Sequence, residues 1–182
     1  MWTAAIVLAG VGGLLLWIMA AFSRLLRLRR QVTNGWRQIV VLLRQRHDLV
    51  PNFVLAVKSA AEMDSHVLTR LIEARNHAIM VGGVVDKAAQ ERELSQALQA
   101  LQALARQQPT LQGHAAVRQG QRALVDVEQR LDVARRSYNS VVERFNAAQE
   151  RFPTNLLAAT FQFEPAVLFD LADDPPPTVQ PS

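Results

Sequence analysis

The sequence predicts an all-α protein, in which an N-terminal transmembrane helix is followed by an elongated antiparallel bundle of three to four long helices. An uncharged apolar run opens the chain, helical periodicity continues after it, and no strand-like alternation persists beyond residue 24. The chain has no cysteine, which excludes disulfide and thiolate chemistry. We therefore divide it into an anchor (residues 1–23), a cytoplasmic helical bundle (24–170) and a Pro-rich tail (171–182) that we expect to be disordered.

The anchor is predicted from residues 2–22, which carry no charged side chain. Such a helix reaches roughly 30 Å, the thickness of the hydrocarbon core of a bilayer. A cleaved signal peptide is the alternative, but it needs a basic N-terminal region, and the chain starts Met-Trp-Thr-Ala. We expect an uncleaved single-pass anchor. Small residues at four-residue spacing would let two anchors pack closely in a homo-oligomer, and these are Ala5, Ala9 and Gly13.

The distribution of charge predicts how the anchor is oriented. Of the 20 basic residues, seven arginines fall within residues 1–47, where no acidic residue occurs, and from Asp48 onward 13 basic residues face 16 acidic ones. The positive-inside rule places the arginines after the anchor in the cytoplasm, with the N-terminus outside and the C-terminus in the cytoplasm. They would contact anionic lipid of the bilayer, so the high pI does not require nucleic acid as a partner. These membrane-surface residues are Arg24, Arg27, Arg29 and Arg30.

One long amphipathic helix is predicted from about residue 24 to residue 80. Its apolar residues recur every three or four positions and pass Pro51 without losing phase. We interpret Pro51 as a kink, because proline inside a helix removes one backbone donor and crowds the preceding turn. The alternative is a break, with Asp48 capping a new helix, and Val50 favours it because the residue before a proline avoids helical dihedrals.

Further helices follow the glycine pair Gly82–Gly83, which predicts a helix end, and Asp86 would cap the next helix. Pro153 is expected to end the last long helix. Because each amphipathic helix can bury its apolar face only against the others, a bundle results. The predicted elements are helices at 87–108, 115–152 and 154–160, and an apolar stretch at 161–169 that packs back on the bundle.

An ordered set of motifs resembles the LemA family of bacterial membrane proteins. The motifs are "WRQI", "RHDLVPNFV", "LIEAR", "ARRSYN" with a later "FN", and "RFPTNLLAATFQF". The resemblance extends over nearly the whole chain up to about residue 170. It implies an N-terminal transmembrane helix and a cytoplasmic helical bundle in the bacterial inner membrane. It does not imply an enzyme, and the family has no established general biochemical function.

The residues that match the family motifs are our candidate functional positions. The chain departs from the family pattern at Val117 and Gly120, where an aromatic residue and a leucine are usual, so the packing near residue 120 is a point to test. We expect the matching residues to make polar and packing contacts inside the bundle. They are Trp36, Arg46, Asp48, Pro51, Asn52, Arg75, Arg135, Tyr138, Asn139, Phe152 and Pro153.

No catalytic, cofactor-binding or metal site is predicted. Two glutamate–histidine pairs have the i, i+4 spacing of ligands that share a helix face, but such pairs are frequent on solvated faces. His47 lies on the apolar stripe, so we expect a core histidine rather than a general base acting with Asp48. The two pairs are Glu62 with His66 and Glu73 with His77.

The stretch "RHDLVPN" receives a structural hypothesis. We expect its freed backbone carbonyl and polar side chains to be satisfied by the "ARRSYN" segment of an antiparallel helix. Asp48 and Asn52 share one helix face, and so do Arg135 and Asn139. A charge-assisted bond from Arg135 to Asp48 would then set the register of the two helices. The alternative is that these residues form an outward recognition patch.

The sequence leaves three functions open. The first is a non-catalytic, membrane-anchored scaffold or protein-interaction module of the LemA type, which binds an unidentified protein partner or a second copy of itself. The second is a membrane-shaping or lipid-binding protein that acts through the arginines after the anchor. The third is an enzyme, which a pronounced cavity lined by His47 and Asp48 would support.

Overall fold

The computed structural model describes residues 2–61 and 65–171. Within these ranges every regular element is an α-helix and no strand occurs, which confirms the all-α class. The predictions that involve Glu62 and residues 172–182 of the tail lie outside the described residues. The elements are α1 (Trp2–Ala60), α2 (Ser65–Met80), α3 (Val84–Gln107), α4 (Pro109–Gly113), α5 (Ala115–Glu150) and α6 (Thr154–Thr160).

Helix α1 contains 59 residues and crosses the boundary between the predicted anchor and the bundle without interruption. At 1.5 Å per residue it is about 88 Å long. The helix includes Pro51, so the interpretation of one continuous helix is confirmed there and the alternative of a break is wrong. The predicted extension of this helix to residue 80 is also wrong, because α1 ends at Ala60 and α2 is a separate helix.

Helix α2 folds back along α1, since Arg75 on α2 contacts the carbonyl of His47 on α1. The apolar stripes of the two helices contribute to one core cluster, which also contains residues of α3, α4 and α5. A periodic stripe reports which face of a helix is buried, and it continues in phase when two successive helices bury their faces in the same core. The reversal between α1 and α2 therefore left no mark on the pattern.

Helices α1 and α5 form the longest contact of the bundle and run antiparallel. Tyr138 of α5 lies against Gly35, and Phe53 of α1 lies against Gly120. A Cβ atom at Gly120 would come within 2.9 Å of the Phe53 ring, so this close approach requires glycine. The departure from the family pattern at residue 120 is thus filled by an aromatic ring from the facing helix.

Helix α3 follows a short turn and runs antiparallel to α2. Its N-cap is Gly83, with φ of 79°, and no side chain caps the helix, so the prediction that Asp86 is the cap is wrong. Lys87 donates hydrogen bonds to the carbonyls of Ala78 and Val81. The turn between the two helices is therefore closed by a lysine that reaches one carbonyl in the last turn of α2 and one just beyond the helix.

The C-terminal part of the bundle follows the prediction closely. Pro109 begins α4, α5 ends at Glu150 before Pro153, and α6 has the predicted bounds Thr154–Thr160. Residues 163–171 have no regular secondary structure and pack back on α1 and α5 through Phe163, Ala166, Phe169 and Leu171.

The first part of α1 packs against little else in the described structure. Large apolar side chains there are exposed on every side of the helix; Leu8, Leu16 and Met19 expose 72%, 69% and 66% of their surface. One helix, near the N-terminus, is long and apolar enough to cross a membrane by length and composition. This part of the chain is compatible with the predicted membrane anchor.

Candidate functional site

A buried cluster of polar and charged side chains links α1 to α3 in the middle of the bundle. Arg46 and His47 of α1 and Glu91 of α3 expose 2%, 4% and 0% of their surface, and we call these three residues the central cluster. Arg46 Nη1 donates to Glu91 Oε2 at 3.3 Å, and His47 Nε2 lies 2.6 Å from Glu91 Oε1. Each carboxylate oxygen thus has a partner on α1, as a buried carboxylate requires.

The guanidinium of Arg46 joins three helices. Its Nη2 donates to Ser95 Oγ of α3 at 2.7 Å and lies 3.6 Å from Glu128 Oε1 of α5. Ser95 Oγ in turn donates to the carbonyl of Glu91. Because an arginine has five donors in a fixed planar fork, one side chain can fix the relative positions of α1, α3 and α5.

Pro51 leaves the carbonyl of His47, four residues earlier, without its usual partner in α1. Arg75 Nε of α2 donates to this carbonyl at 2.7 Å. The freed carbonyl is satisfied by a second helix, as the hypothesis expected, but the donor comes from α2 and not from the "ARRSYN" segment of α5. The arginine of the "LIEAR" motif therefore binds the carbonyl that the proline of the "RHDLVPN" motif leaves free.

The predicted ion pair between Arg135 and Asp48 does not form. Arg135 Nη2 donates to Asp132 Oδ1 at 2.9 Å, and its Nη1 lies 3.7 Å from Asp170 Oδ1. Asp48 and Asn52 are exposed instead of facing α5. Each residue turns an α-helix by about 100°, so when residues 46 and 47 face the core, residues 48 and 52 point away from it.

Asp132 contacts two arginines, Arg135 and Arg136. The hydrogen bond from Arg135 lowers the pKa of Asp132, and the charge of Arg136, whose Nη2 lies 2.6 Å from Asp132 Oδ2, acts in the same direction. The side chain of Asp132 is 44% exposed. This group of charges lies on the surface, in contrast to the central cluster.

A second set of polar contacts holds residues 163–171 against α5. Asn139 Nδ2 donates to the carbonyl of Phe169 at 3.1 Å, and the amide of Phe169 donates to Asn139 Oδ1 at 2.9 Å. Asn146 makes the same pair of bonds with the carbonyl and amide of Ala166, both at 2.9 Å. We call these four hydrogen bonds the amide clasp. Each asparagine supplies the donor and the acceptor that a neighbouring strand would otherwise supply.

Aromatic packing accompanies the amide clasp. Tyr138 Oη donates to the carbonyl of Val167 at 2.8 Å, and burial raises the pKa of Tyr138. The Trp36 ring lies between Tyr138 and Phe169, with ring centroids 5.9 Å and 5.3 Å away. The motif residues Trp36, Tyr138 and Asn139 therefore meet at one place, where α1, α5 and the C-terminal segment touch.

The last two motif residues lie at the end of α5. Pro153 occupies the N-cap position of α6 and follows Phe152 through a cis peptide bond. The Phe152 side chain exposes 80% of its surface, so it is not the bundle contact that the motif suggested.

An open cleft of about 460 Å³ lies beside the central cluster, between α1 and the turn that joins α2 to α3. His47 and Asp48 both line it, which is the feature that an enzymatic role would require. His47 Nε2 is engaged by Glu91, and the ammonium of Lys87 is engaged by the carbonyls that end α2. The remaining lining includes apolar residues of both walls, namely Trp36, Val40, Leu43, Ile79 and Val81.

The described residues contain no group of three metal-ligating side chains that converge on one point. Glu73, His77 and His66 line a groove between α2 and α3, together with Glu93. Glu62, the second member of one predicted glutamate–histidine pair, lies outside the described residues.

Sequence reasoning missed Glu91, the partner of the two buried basic side chains. The signal was present, because α3 buries residues at the spacing 88, 91, 94 and 98, and position 91 is the one charged residue among them. A carboxylate on the apolar stripe of one helix predicts a buried cationic partner on another. Sequence reasoning also made no prediction for Asn146, which lies in the "FN" motif and bonds Ala166.

A comparison with protein families gives one finding. The model described as LemA family matches residues 35–180, which is most of the chain. The match begins after the apolar segment and includes the central cluster, the cleft and the amide clasp. No curated protein matches the chain.

Proposed function

The chain belongs to the LemA family, and on this premise we propose that it is a non-catalytic scaffold that presents a helical rod from a membrane to a protein partner. One observation carries the proposal: α1 continues from the exposed apolar segment into the core of the bundle without a break. A continuous helix transmits position and orientation, so the bundle is held in a defined geometry relative to the anchor.

The membrane in the proposal is the bacterial inner membrane, with the N-terminus outside and the bundle in the cytoplasm. The arginines that follow the apolar segment support this orientation by the positive-inside rule. The chain lacks cysteine, so a single introduced cysteine reports topology. With Asn52→Cys in intact cells, we expect a membrane-impermeant maleimide to label the protein only after the inner membrane is opened. Labelling of intact spheroplasts would show that the bundle lies outside the inner membrane, which contradicts the proposed orientation.

The cleft beside the central cluster is where we expect the protein partner to bind. Exposed apolar side chains continue its lining around the α2–α3 turn; Met80 and Val85 expose 84% and 54% of their surface. Apolar side chains that cluster beside a cleft favour a protein contact more than isolated ones do. The side chains of His47 and Lys87 are engaged in holding the helices together, so Arg44 and Asp48 are the charged side chains of the cleft that could meet a partner.

A photocrosslinking experiment in intact membranes tests the proposal. A photoreactive amino acid replaces Met80 at the cleft in one variant and Val133, 62% exposed on α5, in a matched control. We expect a discrete protein adduct from position 80 that Val85→Asp removes, and no such adduct from position 133. An adduct of twice the monomer mass would identify a second copy as the partner. Equal adducts from both positions, or none, would contradict the proposal.

A lipid-directed function is the second candidate, and one observation favours it. Four arginines follow the apolar segment, all are exposed, and none forms an ion pair with a carboxylate in the described part of the chain; they are Arg24, Arg27, Arg29 and Arg30. Replacement of all four by glutamine separates the candidates. In protein that keeps its orientation by the maleimide test, the scaffold proposal expects the adduct from position 80 to persist, whereas a lipid-directed function would be lost together with vesicle binding or deformation.

An enzymatic role makes a different demand on the cleft. Asp48 is exposed and is the free carboxylate among the residues that line it. We expect Asp48→Asn to leave folding and the adduct from position 80 unchanged. Loss of a cellular phenotype with this variant, in a protein that remains folded and keeps the adduct, would favour catalysis.

A further inference from the structure

The end of the bundle nearest the apolar segment exposes large apolar side chains. Phe152, Leu156 and Phe161 expose 80%, 60% and 54% of their surface, and we call them the end patch. Of the seven phenylalanines in the chain, Phe152 and Phe161 are the ones that expose more than half of their surface. Within the bundle, the exposed phenylalanine rings are concentrated at this one end.

Contacts with α1 place the end patch at the level where the apolar segment ends. The ring of Phe161 lies 4.7 Å from the ring of Phe22, the last residue of the uncharged run. The last turns of α5 and α6 pack against Leu25 in one core cluster that contains Ala148 and Ala158. Phe152 lies two residues beyond the end of α5. The antiparallel contacts of Gly35 with Tyr138 and of Phe53 with Gly120 set a register that brings this end of α5 to the level of Phe22.

The charges at this end suit a membrane surface. Arg24, Arg27 and Arg30 are exposed, and the guanidinium of Arg29 lies 5.8 Å from the centroid of the Phe163 ring. Three exposed carboxylates, Glu143, Glu150 and Glu164, are also present here. The arginines outnumber them, and aromatic rings beside basic residues are characteristic of the interfacial region of a bilayer.

We propose that the end patch lies in the interfacial region of the bilayer that holds the anchor, so that the membrane contacts the protein at two places. The occupant of this apolar surface is lipid, because the surface is continuous with the apolar segment through Phe22 and Phe161. The inference rests on the proposed membrane anchoring.

The second contact has a mechanical consequence. A single helix that crosses a membrane is free to change its tilt and to rotate about its own axis, and its flanking anchors and packing decide both. The end patch is carried by α6 and the adjoining turns, beside α1 and not on its axis. A contact at that position sets the direction in which the cleft faces relative to the membrane plane.

Site-specific fluorescence quenching in proteoliposomes tests the inference with the full chain. Because the chain lacks cysteine, Leu156→Cys, Leu55→Cys and Leu14→Cys each give a unique site for an environment-sensitive dye. Leu156 belongs to the end patch, and Leu55 is its matched control, with 64% of its surface exposed far along α1 from the anchor. Leu14 lies inside the apolar segment and reports anchoring.

We expect the dye at position 156 to be quenched by spin-labelled lipid and protected from aqueous iodide, and the dye at position 55 to behave in the opposite way. The dye at position 14 should be quenched by spin labels deep in the acyl chains. If position 14 is in lipid and position 156 is as open to iodide as position 55, the inference is wrong and the anchoring stands. If position 14 is itself accessible to iodide, the proposed anchoring fails, and this inference fails with it.

Discussion

The central cluster and the amide clasp hold the same bundle together by different physics. The central cluster is charged and buried, and it joins α1 to α3 across 45 residues of chain. The amide clasp is neutral and partly exposed, and it joins α5 to backbone groups 20 to 30 residues later. Loss of one partner leaves an unpaired buried charge in the first case, and amide and carbonyl groups that water can reach in the second.

The two sets of contacts have different roles: one aligns the helices, and the other holds the C-terminal segment over the core. The central cluster sets how α1 and α3 are aligned, and Arg46 extends this alignment to α5 through Glu128. The amide clasp adds no helix to the bundle, but it seats an extended segment whose Phe169 closes the core beside Trp36. Damage to the first should therefore affect the whole bundle, and damage to the second should affect one segment.

The largest effect is expected for Glu91→Ala. Removal of one partner from a buried charged group costs about 3–5 kcal/mol, because Arg46 and His47 would remain buried without their carboxylate. Urea unfolding of the full chain in detergent micelles, followed by circular dichroism, measures the loss. Glu93→Ala, an exposed position on the same helix, is the matched control and should change the free energy of unfolding by less than about 0.5 kcal/mol.

The double variant Glu91→Leu with Arg46→Met sharpens the same test. Apolar side chains of similar size often replace a buried ion pair at little cost, so we expect most of the stability lost in Glu91→Ala to return. If the double variant is as unstable as Glu91→Ala, the effect does not come from unpaired charge, and the distinction between the two contact sets breaks down.

A smaller and more local effect is expected for Asn139→Ala. It removes both hydrogen bonds to Phe169 and should cost about 1–3 kcal/mol, at the lower end if water replaces the lost partner. Hydrogen exchange measured by mass spectrometry should accelerate in residues 163–171 and remain slow in α1. Asn52→Ala, at an exposed asparagine of α1, should change neither quantity. Uniform acceleration throughout the bundle would show that the clasp is as global as the central cluster.

Tyr138 offers an optical measure of the clasp, because it is the one tyrosine of the chain. Burial raises its pKa, so phenolate absorbance should appear at higher pH in the folded protein than in the unfolded protein, where tyrosine ionises near pH 10. The buried Tyr138 therefore does not reduce the stability of the folded protein below about pH 10, and stability is lost as the pH rises above this value. In Asn139→Ala the titration should move back toward the unfolded value. An identical titration in both proteins would mean that the segment stays seated.

The smallest effect is expected for Asp132→Asn on the surface of α5. Arg135 lowers the pKa of Asp132, so its contribution is present above the ordinary aspartate pKa and disappears as the pH falls below it. Solvent screens a side chain that is this exposed, and the loss at neutral pH should be well below about 1 kcal/mol and should shrink further in high salt. A larger loss would place this surface group beside the central cluster in importance.

The predicted elements and the predicted contacts differ in how well they agree with the structure. The bounds of α6 and the end of α5 agree closely, because Pro153 and the 3.6-residue period are local signals. The pairing of Arg135 with Asp48 was wrong, because it assumed which face of α1 meets α5. That face is decided by the buried residues of several helices together, and Asp48 lies outside the buried arc.

Two features of the structure were not predicted, and each has a physical cause that applies to other helical bundles. The reversal after Ala60 was invisible because α1 and α2 bury their stripes in one core. Arg75 was expected to make a contact inside the bundle, but the sequence did not identify its partner, which is the carbonyl of His47 that Pro51 leaves free. A proline inside a helix predicts a missing donor, but it does not predict which helix supplies one.

The sequence by itself determined the all-α class, the uncharged segment of membrane-spanning length and the family, since each depends on the order of neighbouring residues. Tertiary structure alone decided that Arg46 and His47 share Glu91, that Arg75 binds the carbonyl freed by Pro51, and that two asparagines hold the C-terminal segment. The reason is geometric. Periodicity specifies the face that a helix buries, whereas a hydrogen bond requires two atoms within about 3 Å, and only the packing of all helices sets that distance.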